Sequence, residues 1–238
     1  MRSTAVLVLA FASATVMLAD ATAGPPPQLL DGPLLTATAP ADARVRVDVG
    51  WSTTTDEAVA DVRTEARVGR GWSLFAGVHA RLDGDGARPV LGGAYQLRDG
   101  RGGTAVRAQV LYRPEGMTEP EGEVEVSLIG ARVIAVGSLG GAITYGQDPE
   151  GHERDVEAVL GYRRDIGRRA SAGVVSRGRR ALGARLEQDR LWDALAAGVA
   201  TVRVGDWSLE VLTGVEQVGR RRGGQSGAVA TFGVGATW

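Results

Sequence analysis

The chain has 238 residues, a formal net charge of −1, 35 glycines and no cysteine. So balanced a charge gives no electrostatic case for nucleic acid, and without cysteine there is no disulfide framework, cysteine metal site or lipid-modified cysteine. No stretch after residue 23 is apolar enough to cross a bilayer as a helix, so membrane residence would require a closed barrel.

Arg2, the apolar run from Ala5 to Ala19 and the small-x-small pattern Ala21-Thr22-Ala23 predict a cleaved secretory signal peptide over residues 1–23. The run is shorter than the ~20 residues a spanning helix needs. Residues 24–41 hold five of the nine prolines and no periodic pattern, so they read as an extended leader acting as a spacer.

From Asp42 a two-residue period begins, with Val45, Val47, Val49 and Trp51 alternating against Arg44, Arg46 and Asp48. A second strand sets Ala58, Ala60, Val62, Thr64, Ala66 and Val68 against Glu57, Asp61, Arg63, Glu65 and Arg67. A third carries Trp72, Leu74, Ala76, Val78 and Ala80 opposite Ser73, Phe75, Gly77, His79 and Arg81. Further strands are predicted near 88–98, 104–113, 123–131, 134–146, 154–164, 169–177, 192–204, 207–218 and 227–238, about twelve in all. Tight connections (69–71, 99–103, near Arg132, 165–168, 205–206) alternate with mostly longer, more polar ones (52–56, 83–87, 114–122, 147–153, 178–191, 219–226).

The aromatic residues follow the same register. Trp51, Trp72, Tyr95, Tyr112, Tyr145, Tyr162, Trp192, Trp207 and Trp238 fall at or near strand ends on the apolar side, as expected of membrane-interface girdles. The charges expected on that side are Arg154 and Arg164, both at the ends of one strand.

The last strand, Gly227 to Trp238, places Ala228, Ala230, Phe232, Val234, Ala236 and Trp238 on one side and carries no charge. It resembles the closing strand of bacterial outer-membrane β-barrels, in which the terminal aromatic and the alternating apolar residues are read by the barrel-assembly machinery. The resemblance makes Phe232, Val234 and Trp238 the expected assembly signal. It implies an all-β fold: a transmembrane antiparallel up-and-down barrel of about 12 strands over residues 42–238. It also implies an outer-membrane location, with residues 24–41 and both termini periplasmic and outer-membrane lipid and lipopolysaccharide as contacts.

On this register the inward face is polar and mixed in sign. Arg44, Arg46, Arg63, Arg67, Arg81, Arg98 and Arg107 line one wall, and Glu123, Glu125, Asp155, Glu157, Glu210 and Glu216 gather on later strands. Such a pairing of walls resembles the transverse field of a porin constriction, which makes Arg46, Arg63, Arg81, Arg107, Glu125, Glu157 and Glu210 the candidate selectivity residues. The same side chains can instead pair across a small lumen and fill it. Inward small residues (Ser138, Gly140, Ala142, Ser171, Gly173) would leave room for a channel. The function expected is a small porin-like or gated channel for ions or polar solutes, with no cofactor. A non-conducting surface barrel is the second reading and a lipid-modifying enzyme the third. Twelve-stranded outer-membrane phospholipases use a Ser/His pair, but His79 faces inward with no Ser-containing motif beside it, so no catalytic residue is assigned. The basic loop 178–191, with Arg179, Arg180, Arg185 and Arg190, is expected to form a short amphipathic helix at the anionic leaflet or the pore mouth.

Overall fold

The structure is a computed structural model that describes residues 37, 40, 42–54, 57–82, 86–100, 102–113, 123–148, 154–182, 190–220 and 223–238. Alternating sequence becomes strand throughout: β1 (Ala43–Ser52), β2 (Glu57–Arg67), β3 (Trp72–Arg81), β4 (Ala87–Asp99), β5 (Thr104–Arg113), β6 (Glu123–Ile134), β7 (Gly137–Gln147), β8 (Arg154–Ile166), β9 (Ala170–Leu182), β10 (Arg190–Val204), β11 (Trp207–Arg220) and β12 (Gly223–Thr237). Each strand pairs antiparallel with its sequence neighbour, and β1 also pairs with β12, closing the barrel. At the seam the Asp42 amide donates to the Trp238 carbonyl at 2.7 Å and the Trp238 amide to Ala43 at 2.8 Å. Closure leaves no edge strand, the condition for sheet to exist in lipid.

The tight turns gather at one end with the seam. Gly167 and Gly205 turn there at φ 76° and 60°, a left-handed backbone open mainly to glycine. The other end carries the connections around residues 55–56, 83–85, 114–122, 149–153, 183–189 and 221–222. These two rims are called the turn end and the loop end below.

Outward residues are apolar and exposed along the middle of the wall, among them Leu91, Val110, Leu128, Ile143, Leu160, Val174 and Val215. The nine aromatics expected at the membrane interfaces all fall on the outward side of the register, in two sets. Trp72, Tyr95, Tyr162, Trp207 and Trp238 ring the turn end, and Trp51, Tyr112, Tyr145 and Trp192 the loop end. Trp72 and Tyr95 meet across β3 and β4 with ring centroids 4.8 Å apart, and the Tyr162 hydroxyl donates to the Val136 carbonyl at 2.7 Å.

Several expectations are corrected. The link placed near Arg132 lies later, at Ala135–Val136, because Val133 and Ile134 continue the pairing to Ser138 and Gly137. Residues 178–182 and 190–191 belong to β9 and β10 rather than to a helical loop, and residues 183–189 lie outside the described residues. The segment 219–226 is mostly strand, since β11 runs to Arg220 and β12 starts at Gly223. A bulge between Gln96 and Arg98 sets Arg98 opposite Val106, so Arg98 leaves the lumenal register and is exposed at the turn end. Arg132 and Arg180 join Arg154 and Arg164 on the outer face; all are exposed and near strand ends, where a charge costs little.

Candidate functional site: the barrel lumen

The inward face is not uniformly polar. Phe75, Val90, Ala94 and Leu111 pack together on β3–β5, and Leu195, Ala197 and Leu212 on β10–β11. These side chains fill part of the bore, as happens in narrow barrels. Alternation puts Phe75 and the others inward, but charge alone does not reveal that this face carries apolar clusters.

Ion pairs occupy the turn-end half of the wall. Arg107 donates to Glu65 at 2.7 Å, Ser73 donates to the same carboxylate at 2.5 Å, and Arg44 lies 3.2 Å from it. Nearby, Glu210 accepts from Arg46 on β1 at 3.0 Å, from Arg163 on β8 at 2.8 Å and from Thr201 on β10 at 3.0 Å. Arg46 also clasps Asp48 through two bonds of 2.7 and 2.8 Å. Gly233 opposite Asp48 makes this possible, since a Cβ there would collide with Asp48 and Arg46.

Toward the loop end, Arg177 donates to Asp193 at 3.2 Å and Glu216 at 3.0 Å, and Ser52 donates to Glu216 at 3.0 Å. Arg179 pairs with Asp155. His79 Nδ1 stands 3.0 Å from Asp61, and the Arg63 guanidinium lies 5.5 Å above the Phe75 ring. Above the turn-end networks the bore opens into a cavity of about 550 Å³, lined by Asp61, Arg63, His79, Gln109, Glu123, Glu125, Ser127, Thr144, Asp155, Glu157, Arg177, Arg179 and Glu216 among others.

The candidate selectivity residues therefore separate into two groups. Arg63, Glu125 and Glu157 face the cavity, and Arg81 sits on the same inner face at the loop end of β3. Arg46, Arg107 and Glu210 are tied into the buried networks below it. Arg163, Arg177 and Asp193 were not singled out from the sequence, although the same two-residue alternation puts all three inward; Arg179, assigned to a loop, is lumenal on β9.

The barrel fold has solved counterparts. An outer-membrane channel of the COG4313 group from Pseudomonas putida F1 superposes with a TM-score of 0.67 at 12% identity, covering 88% of this chain and 99% of that one. The NanC porin matches with a TM-score of 0.57 at 12% identity, over 82% of this chain and 100% of that one. The KdgM porin matches at 0.56 and 11%, over 82% and 99%. The fold is that of an outer-membrane β-barrel. No protein-family model and no curated protein matches the sequence, so the likeness lies in the backbone fold.

Proposed function

We propose that the protein is a small outer-membrane channel for ions and polar solutes with a preference for cations, its termini in the periplasm and its cavity open to the outside. The observation that carries this reading is the charged cavity of about 550 Å³ inside a closed barrel. Of its lining, Asp61, Glu123, Glu125, Asp155, Glu157 and Glu216 are carboxylates, against the guanidiniums of Arg63, Arg177 and Arg179. Water inside a low-dielectric wall lets such an excess act on a permeating ion at close range. The porin and channel neighbours support conduction by a barrel of this fold.

His79, hydrogen-bonded to Asp61, serves this reading as a polar wall residue. Arg180 and Arg220, exposed near the loop end, are the contacts proposed for anionic lipopolysaccharide, and the uncharged last strand is proposed as the signal for the barrel-assembly machinery.

Planar-bilayer recording tests the channel. The folded chain, or the variant lacking residues 24–41, gives discrete conductance steps with a cation-selective reversal potential, and Glu125→Lys with Glu157→Lys shifts that potential toward the anion. Absence of conductance from the folded chain and from a variant lacking residues 24–41 overturns the reading and leaves a surface barrel that holds its ligand in a closed-floored cavity.

A further inference from the structure

Part of the inner wall is shaped to hold something other than water. Ala105 on β5, Ile129 and Ala131 on β6, Ala142 on β7 and Val159 on β8 form one apolar cluster, edged by Val175 on β9. Left against water, such a patch would forgo the burial that stabilises apolar groups at roughly 25 cal/mol per Å². It is covered. Ala37 belongs to the same cluster and has no solvent exposure. The Ala37 carbonyl accepts a hydrogen bond from Gln96 Nε2 on β4 at 3.0 Å, which satisfies a backbone group that burial would otherwise strand. Pro40 is buried too, and the chain then reaches Asp42 at the seam. A spacer would leave these residues in solvent.

We propose that this patch is a seat for the chain's own segment ahead of β1, which lies at the seam at Asp42 and against β5–β8 at Ala37, and that the buried Ala37 and Pro40 close the lumen beneath the open cavity. The choice of occupant follows from connectivity and fit. Ala37 is tethered a few residues ahead of β1, so its effective concentration at the patch is set by a short linker rather than by bulk encounter. Three of the six seat residues are alanine, which leaves space for a backbone carrying a small side chain and none for a charge without a partner.

Docking stands independently of the channel reading, whereas closure rests on it, and one experiment separates them. The native chain has no cysteine, so Ala37→Cys combined with Ala131→Cys reports only this contact. Mild oxidation of the folded barrel forms the disulfide, while Ala37→Cys with Ser52→Cys, at the loop end of β1, stays reduced. Failure of the first pair to cross-link, or equal cross-linking of both, overturns the docking. In planar bilayers the oxidised Ala37→Cys/Ala131→Cys protein conducts several-fold less than after reduction, and Ala37→Asp, which strands a carboxylate in the apolar seat, conducts several-fold more than the native chain. Conductance indifferent to both changes overturns the closure; no conductance from any variant sinks the channel reading instead, and the cross-link still decides the docking.

Discussion

Glu210 shows what single residues contribute in this bore. It is only 2% exposed and receives bonds from Arg46, Arg163 and Thr201, which come from three other strands. Charge-assisted bonds of this kind are the stronger class, and removing this carboxylate takes a buried counter-charge from Arg163 and leaves Arg46 with Asp48. Glu210→Gln is therefore expected to destabilise the barrel by roughly 3–5 kcal/mol, because two guanidiniums would face a neutral amide. Adding Arg163→Met should recover part of that loss. Urea titration of the barrel in lipid vesicles measures both, and a neutral Glu210→Gln would mean that water already screens the network. Parity alone put Arg46 and Glu210 on the inner face. It could not pair them, since 164 residues separate the two and their meeting depends on how strands stagger around the closed sheet.

At the scale of the strand, alternation is a strong guide to face and a weak one to ends. All twelve strands were readable because a half-buried wall must repeat every two residues. The ends failed where a strand outran its apolar pattern. β9 continues through Gly178, Arg179, Arg180, Ala181 and Leu182 because each pairs with β8, and a charge-rich segment mimics a loop when read alone. Arg98 failed differently, through a bulge that no alternation announces. The outer face also makes a prediction about cost with depth. Leu160, near the middle of β8, is 66% exposed and meets lipid, whereas Arg164 lies four residues nearer the turn end on the same face. Leu160→Arg should cost ~2–4 kcal/mol, while Arg164→Leu should change stability little. Vesicle unfolding that finds the two substitutions equal would place both at the same depth and remove the lipid-facing assignment of this strand.

The whole molecule depends on its two seam strands, β1 and β12, in a way the other ten do not share. β12 is held on one side by β11, its neighbour in sequence, and on the other by β1, from the far end of the chain. Residues 232–237 supply the partners of Val49 back to Arg44, and Trp238 adds the bonds to Asp42 and Ala43. Losing them would expose open ladders on both β1 and β11 to hydrocarbon, where each unmet backbone group costs several kcal/mol. This loss is independent of any recognition of Phe232, Val234 and Trp238 by assembly factors, and the two roles can be told apart. Deleting residues 232–238 should prevent both outer-membrane accumulation and spontaneous refolding into vesicles, judged by loss of the faster gel mobility that a closed barrel shows before boiling. Phe232→Ala with Trp238→Ala keeps the ladder, so it should refold in vesicles yet accumulate poorly in cells. Equal refolding and equal accumulation of that double variant would confine the terminal strand to closing the sheet, and a truncated chain that still shifts mobility on heating would deny it even that.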